Sequence, residues 1–273
     1  MTNDVDVTID GVTIRGEQRG DGPPVLLLHG IPETRRMWRH VAPALAEHHT
    51  VVATDLRGYG ESDAPADTDH SMRALAREQV EVMRALGHER FAVVGHDRGA
   101  RCAYRMALDH PEAVTHLGVV DMVPTAEAFA RADRAFALGY WVWSMLAAPA
   151  PLPEQLVAGA PRALVDHMLD TWSDDPTEFG AALREHYTAT FRTRPGCTRS
   201  ASSTAPPRPS TSRTPRPPSL CARSARPSSS TGAPPGPSTR GTTRWRSGAG
   251  GPPTSGAAPS TAVTSCPRRR RTR

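Results

Sequence analysis

The segment Gly95–Gly99, with the sequence Gly-His-Asp-Arg-Gly, has residue types and a spacing that could place a nucleophile on a sharp turn. It follows the apolar run Phe91–Val94 and precedes a helix-forming stretch, and Gly-x-Asp-x-Gly in that position has the form of a nucleophile elbow, where esterases hold serine. An aspartate side chain is ionised at neutral pH, so Asp97 would attack carbon directly and form an alkyl-enzyme ester. This chemistry suits an sp³ carbon that bears a halide or an epoxide oxygen. The alternative is a glycine-bounded turn in which Asp97 caps the helix.

Two further strand ends carry residues suited to the same site. The turn His29-Gly30-Ile31 follows a buried apolar run, and a backbone N–H near Ile31 together with that of Arg98 could face an oxyanion. Asp121 follows another apolar run, 24 residues after the elbow aspartate. A carboxylate there could orient a histidine and stabilise its imidazolium, as in a catalytic triad. An ordinary turn aspartate is the alternative for this residue.

The elements that must position these residues alternate between strand and helix patterns over the first 120 residues. A hairpin is predicted first, and four buried strands follow, separated by amphipathic helices. This order predicts an α/β fold with a mostly parallel sheet covered on both faces, and ligands bind such sheets beyond the carboxyl ends of the strands. The predicted strands are Val5–Ile9, Val12–Arg19, Pro24–Leu28, Thr50–Thr54, Phe91–Val94 and His116–Val120, and the helices are Trp38–Glu47, Met72–Leu86 and Arg98–Asp109.

The composition changes abruptly between residues 192 and 193. All 33 basic residues are arginines, and all 28 acidic residues precede residue 193. Segment 1–192 therefore has a net charge of −10, and segment 193–273 has a net charge of +15. The only large apolar residues of the second segment are Leu220, Trp245 and Val263. Because so little apolar surface cannot offset the entropy of ordering the chain, we predict a disordered tail over residues 193–273.

Several protein classes are disfavoured. The apolar run Val25–Leu28 is far shorter than the roughly 20 residues of a membrane helix, and the acidic start of the chain does not resemble a signal peptide. We therefore expect a cytoplasmic protein with no membrane association. Cys102 is the only cysteine before residue 193, and the other three lack the spacing of metal ligands, so neither a disulfide framework nor a metal site is predicted.

Taken together, the chain from about Val5 to Arg192 resembles the α/β-hydrolase superfamily, and within it the haloacetate (fluoroacetate) dehalogenases and the related epoxide hydrolases. No single stretch is specific, but the combination is. The stretches that carry the resemblance are His29–Thr34, Met37-Trp38, Asp55–Asp63, Gly95–Arg101, Asp121–Thr125 and Leu146–Glu154.

The resemblance implies roles for individual residues. Asp97 would be the nucleophile and Asp121 the triad acid. Arg98 and Arg101 would hold a substrate carboxylate, for which the planar guanidinium fork is suited; a solvent-facing charge is the alternative for Arg101. Trp143 would donate its indole N–H to the departing halide. The implied substrate is a small 2-haloacid, and no cofactor is required. The resemblance is also compatible with a homodimer.

The resemblance also implies a core over residues 1–123 and a helical cap over 124–192. The histidine that the family has just before Trp143 is Val142 here, which weakens the case for fluoride and leaves chloroacetate or another 2-haloacid open. Tyr140 and Tyr187 keep an epoxide hydrolase as the second interpretation, because that reaction uses cap tyrosines to protonate the opening ring, although the paired arginines argue against it. The aromatic residues of the cap also suit plain core packing.

One expected group is missing. Hydrolysis of the alkyl-enzyme ester needs a histidine base, which the resemblance places near the end of the chain, yet no histidine occurs after His186. The last two strands and the closing helix of the sheet also have no candidate segment. Without its base the ester would persist, and this chain would be inactive in turnover.

A frameshift at the composition break would explain these absences. Read one nucleotide upstream, the degenerate codons of Ala262–Arg269 permit Gly-His-Phe-Leu-Pro-Glu-Glu, the histidine motif that the resemblance implies, and those of Thr193–Pro206 permit further family-like residues. The alternative, from another class, is a non-catalytic protein whose basic tail, ending in Arg268–Arg271, binds nucleic acid. Because no aromatic residues are interleaved with these arginines, nucleic acid is the less favoured partner.

Overall fold

A computed structural model describes residues 2–65 and 68–193, so the predicted tail over residues 193–273 lies outside the described residues except for Thr193, which ends a helix. Six strands form one sheet in the order β1-β2-β4-β3-β5-β6. The first two strands pair antiparallel with each other, β2 is antiparallel to β4, and β4, β3, β5 and β6 run parallel. The strands are β1 (Thr2–Ile9), β2 (Val12–Arg19), β3 (Pro24–Leu28), β4 (Thr50–Thr54), β5 (Phe91–His96) and β6 (Val114–Val120).

The predicted hairpin is confirmed. Its two-residue turn consists of Asp10 and Gly11, both with positive φ (49° and 79°), and Ile9 pairs directly with Val12. Two consecutive left-handed residues match the twist of antiparallel strands, and aspartate followed by glycine is a preferred sequence for them. The hairpin extends the parallel sheet on the side away from the elbow.

The central strands are buried because helices cover them. The helix predicted from Met72 is confirmed: Ser71 caps its amino terminus by accepting from the N–H of Ala74, and Gly87, with φ +87°, follows its end. In the core the helices are α1 (Ala42–Leu45), α2 (Met72–Ala85) and α3 (Arg98–Asp109).

The predicted helix over Trp38–Glu47 is wrong in its form. A 3₁₀ helix occupies Arg35–His40, and α1 is a separate four-residue helix that begins at Ala42. Pro43 accounts for the break, because proline has no N–H to donate and its ring clashes with the carbonyl four residues earlier in a continuous α-helix.

The expectation that the sixth strand is buried is also wrong. Leu117, Val119 and Val120 of β6 are 43%, 48% and 46% exposed. In the described part of the chain, β6 is the edge of the sheet and no strand lies beyond it. Its apolar sequence is typical of a central strand, but its outer side has no described neighbour.

The region predicted as the cap is helical. Val142, Leu146, Val165 and Met168 are buried and join the same apolar cluster as the strands, so these helices pack onto the sheet layer. They are α4 (Thr125–Ala130), α5 (Arg134–Gly139), α6 (Trp141–Leu146), α7 (Leu152–Gly159), α8 (Pro161–Trp172) and α9 (Ala181–Thr193), with a 3₁₀ turn at Pro176–Glu178.

Among the described residues, no helix is long and apolar enough to cross a membrane.

Gly99 should be sensitive to substitution. A Cβ there would lie 2.3 Å from the backbone oxygen of Leu28, and relieving that overlap requires β3 and α3 to separate. We expect Gly99→Ala to lower the free energy of unfolding by about 2–3 kcal/mol, which lowers the melting temperature by roughly 5 °C or more in a domain of this size. Gly159→Ala is the matched control, because nothing lies within 4 Å of its Cβ. Equal melting temperatures for the two variants would contradict this account.

Candidate active site

The site lies where three neighbouring parallel strands end. In the order β3-β5-β6, Leu28 is in register with Gly95, and His96 with Val120. The residues that follow these strands therefore meet at the carboxyl edge of the sheet. This confirms the predicted convergence of the His29-Gly30 turn, the elbow and Asp121.

Asp97 occupies a strained turn between β5 and α3. Its φ and ψ are 42° and −106°, a left-handed conformation that costs a non-glycine residue about 1–3 kcal/mol. The turn is held on both sides, because the Asp97 N–H donates to the Val120 carbonyl at 3.2 Å and the Arg101 N–H donates to the Asp97 carbonyl at 3.1 Å. The side chain makes no capping hydrogen bond to the helix, so the helix-cap alternative is wrong and the carboxylate projects from the turn.

Two donors fix the Asp97 carboxylate. The Arg101 Nη2 donates to Oδ1 at 2.8 Å, and the Ile31 backbone N–H donates to Oδ2 at 3.2 Å. A Cβ at Gly30 would lie only 2.8 Å from the Asp97 Cβ, so glycine is what allows the β3 turn to approach the elbow. Both oxygens of the carboxylate are therefore oriented before any ligand arrives.

Two of the three arginines of α3 are buried. Arg98 and Arg101 are 2% and 3% exposed, which excludes the alternative that Arg101 is a solvent-facing charge. The Arg101 guanidinium also stacks on the Trp143 ring, 3.8 Å from its centroid, an attractive cation–π geometry. Burial lowers the pKa of Arg98. Two guanidinium groups that are shielded from solvent in this way favour an anionic ligand.

A cavity of about 500 Å³ opens over the elbow. It brings together seven of the predicted site residues and adds six that are mostly apolar. The predicted residues that line it are Ile31, Asp97, Arg98, Arg101, Asp121, Tyr140 and Trp143, and the additional ones are Met122, Val123, Gly139, Val142, Leu146 and Trp172.

His29 and Gly30, predicted beside an oxyanion, do not line the cavity. The His29 ring is fully buried, and its Nε2 accepts from the Leu56 N–H at 3.0 Å. Its Nδ1 must therefore carry the proton that it donates to the Gly30 carbonyl at 2.9 Å. Burial lowers the pKa of His29, which keeps the ring neutral. His29 thus holds the turn through two buried hydrogen bonds, and in that turn the Ile31 N–H is the group that reaches the Asp97 carboxylate.

The two tyrosines lie in different environments. Tyr140 lines the cavity, is 51% exposed and stacks on Phe136 with ring centroids 5.3 Å apart. Tyr187 is fully buried in the apolar cluster and does not line the cavity; burial raises its pKa. Only Tyr140 therefore meets the cavity as the epoxide interpretation requires.

An ion pair beside the elbow was missed by sequence reasoning. His96 Nδ1 lies 3.2 Å from Glu33 Oε2. Burial by itself lowers the pKa of His96, but the adjacent Glu33 carboxylate, with the nearby charges of Asp97 and Asp121, outweighs it and the pKa is raised. Both residues stand in the stretches that carry the resemblance, but 63 residues separate them and no local pattern joins them. Trp172, at the end of α8, also lines the cavity, and no sequence motif near it indicates this position.

Comparisons with known proteins agree with this geometry. The sequence profile of the alpha/beta hydrolase fold matches residues 23–160. Over 170 residues the chain is 48% identical to a fluoroacetate dehalogenase from Burkholderia sp, covering 61% of this chain and 56% of that protein. It is 40% identical over 116 residues to a soluble epoxide hydrolase from Corynebacterium sp. (strain C12), covering 42% of this chain and 40% of that one.

Solved structures are similar in fold and in sequence. A Nostoc sp PCC 7120 protein described as an alpha/beta hydrolase superposes with a TM-score of 0.70 at 41% identity, covering 74% of this chain and 71% of that one. A Pseudomonas aeruginosa protein described as an epoxide hydrolase gives a TM-score of 0.70 at 41% identity, covering 74% and 68%. The match to the two curated relatives spans about half of their length or less.

The Glu33–His96 pair should make stability depend on pH. The pKa of His96 in the folded protein lies above its ordinary 6.5. The stabilisation that the Glu33–His96 pair provides is therefore fully present below pH 6.5 and is lost as the pH rises through the raised pKa. We expect the difference in unfolding free energy between wild type and Glu33→Gln to be largest near about pH 6 and to shrink at higher pH, measured by urea unfolding. Glu112→Gln, which removes a more exposed carboxylate 3.6 Å from His110, should give a smaller change. A difference in unfolding free energy between wild type and Glu33→Gln that grows as the pH rises would contradict this prediction.

Proposed function

Because this chain belongs to the alpha/beta hydrolase fold family, we propose that it is a hydrolase in which Asp97 displaces halide from a short 2-haloacid such as chloroacetate. The observation that carries the proposal is the position of a carboxylate on the elbow turn in one cavity with two buried arginines. A carboxylate nucleophile is suited to sp³ carbon, and the guanidinium pair is suited to an acid substrate.

The proposed step is a direct displacement. An Asp97 carboxylate oxygen forms a bond to C2 of the haloacid, the carbon–halogen bond breaks, and the halide leaves with the bonding electron pair. Arg98 and Arg101 bind the substrate carboxylate and hold C2 against the nucleophile, and the Trp143 indole N–H donates to the halide as its charge develops. Since Val142 offers no second donor beside Trp143, chloride is a better leaving group in this cavity than fluoride.

The second half of the reaction lacks a histidine base in the cavity, as far as the described part of the chain extends. Water must lose a proton as it attacks the ester, and among residues 2–65 and 68–193 no histidine lines the cavity. His186 is hydrogen-bonded to Thr34 Oγ1 at 3.0 Å, and His96 is paired with Glu33. Because none of the described histidines lines the cavity beside Asp121, the alkyl-enzyme ester accumulates.

Chloroacetate should therefore alkylate this chain once. We expect at most one chloride released per chain, and a mass increase of one carboxymethyl group on the peptide that contains Asp97. Fluoroacetate should react at least about tenfold more slowly, the ratio that corresponds to about 1.4 kcal/mol of lost halide stabilisation. Intact-protein and peptide mass spectrometry, with a halide assay, measures both quantities.

Asp97→Asn tests the nucleophile, since asparagine tolerates the left-handed turn but cannot form the ester, and Asp4→Asn removes an exposed carboxylate far from the cavity. The first variant should take up no label and the second should react like wild type. Labelling of Asp97→Asn would overturn the assigned nucleophile. Many chloride ions released per chain would instead show that a base is present.

The epoxide hydrolase interpretation is supported by the presence of Tyr140 in the cavity and by the similarity to a soluble epoxide hydrolase. The same mass measurement separates the two, because propylene oxide would add a hydroxypropyl group to Asp97. Alkylation by the epoxide and none by chloroacetate would establish the second interpretation. The two buried arginines favour the haloacid.

We also propose that residues from about 193 onward are encoded in a shifted reading frame. The proposal rests on the composition break and on the two family-like segments that the shifted codons permit. Resequencing the gene across codons 188–200 should reveal a gained or lost base, and the chain read in the restored frame should release halide from chloroacetate repeatedly. Codons at 263–266 that cannot encode His-Phe-Leu when shifted would refute the proposal and leave a natural arginine-rich segment.

A further inference from the structure

Arg101 forms an ion pair with the carboxylate that the proposed reaction needs as its nucleophile. Its Nη2 donates to Asp97 Oδ1 at 2.8 Å, and the side chains of the two residues are only 4% and 18% exposed. The other oxygen, Oδ2, accepts from the Ile31 backbone N–H at 3.2 Å. A hydrogen bond between ionised groups is short and strong. The lone pair of Oδ1 that accepts it is therefore less available to attack carbon.

The guanidinium of Arg101 can change its partner without leaving its place in the fold. It lies 3.8 Å from the centroid of the Trp143 ring, and both residues line the cavity. A guanidinium directs its N–H donors outward in one plane, so it can turn on the indole face from one carboxylate to another while the cation–π contact is kept. The Ile31 N–H, in contrast, is fixed in the backbone of a turn. Arg101 is thus the donor that can release Asp97.

An anion is the kind of ligand that can replace Asp97 at Arg101 at low cost. Separating a buried ion pair leaves two uncompensated charges, and a neutral ligand supplies no charge to compensate either of them. A carboxylate ligand exchanges one carboxylate for another at Arg101. A second guanidinium, that of Arg98, lines the same cavity, so the cavity offers two cations to Asp97 and the ligand together. The ligand that frees Oδ1 is therefore one that carries its own carboxylate.

We propose that Arg101 is a specificity-determining residue that restrains the nucleophile until a carboxylate ligand binds. In the ligand-free site it holds Oδ1 of Asp97. The ligand carboxylate takes over its N–H groups, and Oδ1 becomes free to attack. Reagents with a carboxylate thus activate Asp97 as they bind, and neutral alkyl halides do not. This inference rests on the proposed function, because it takes Asp97 as the attacking group.

A haloacetate divided into two pieces tests the restraint. Formate supplies the carboxylate, and iodomethane supplies the carbon and the leaving group. Asp97 Oδ1 forms a bond to the methyl carbon, the carbon–iodine bond breaks, and iodide leaves with the electron pair. We expect formate to raise the rate of Asp97 methylation in the full 273-residue chain at least about tenfold, because a hydrogen bond to a charged group corresponds to roughly ten- to a hundredfold in rate.

Peptide mass spectrometry measures that rate, with fragmentation that separates methylation of Asp97 from methylation of His96. Formamide, the neutral analogue of formate, is the matched control and should have no effect. A rate that formate leaves unchanged or lowers would overturn the restraint.

Two substitutions in α3 separate restraint from structural support. Arg101→Gln removes the ion pair, so iodomethane should methylate Asp97 faster than in wild type, formate should have no effect, and chloroacetate should react more slowly. Arg105→Gln, one turn further along the helix, removes a partly exposed arginine that is paired with Asp109, and it should behave like wild type in every assay. Circular dichroism shows whether each variant is folded, and if Arg101→Gln is unfolded, the formate measurement on wild type decides alone.

A folded Arg101→Gln variant that iodomethane methylates more slowly than wild type would show that Arg101 only supports the turn, and would overturn the proposal. The proposed function is read separately, through labelling of Asp97 by chloroacetate. Absence of that labelling overturns the haloacid substrate, whereas absence of the formate effect overturns only the role assigned to Arg101.

Discussion

The close approach of α3 to the end of β3 is the constraint on which the site depends. Without a side chain at Gly99, the first turn of the helix rests directly on the Leu28 carbonyl, and Gly95 allows the helix to return against its own strand. The chain between them must then reverse over a single residue, and Asp97 takes the left-handed conformation that this reversal requires. The strained backbone of Asp97 is therefore a consequence of helix–strand packing, and its hydrogen bonds to Val120 and Arg101 help to stabilise it.

The charged side chains at the site lie close to groups of opposite charge. The carboxylates of Glu33, Asp97 and Asp121 gather at one sheet edge, where carboxylates alone would repel one another. The guanidinium groups of Arg98 and Arg101 and the imidazole of His96 lie among them, and Arg101 contacts Asp97 directly. An incoming anion joins a cluster that is already compensated, so binding reorganises few charges.

The sequence predicts those parts of the molecule that local chemistry decides. The Asp10-Gly11 turn and the Ser71 cap follow from backbone preferences of single residues, and the elbow follows from its two glycines. Features that depend on distant neighbours were missed or misjudged. Nothing near Glu33 indicates that it meets His96, and the apolar sequence of β6 is the same whether or not another strand covers it. Pro43 was the one local signal that was overlooked, and it divides the helix predicted from Trp38.

The stack of Arg101 on Trp143 joins two parts of the fold that differ in character. Arg101 belongs to α3, which packs closely against β3 and β5 of the sheet. Trp143 belongs to the short helix α6 over the cavity. Any movement of α6 that widens the cavity lifts the indole from one face of the guanidinium that holds Asp97. The orientation of the Asp97 carboxylate is thus linked through Arg101 to the position of α6 over the cavity.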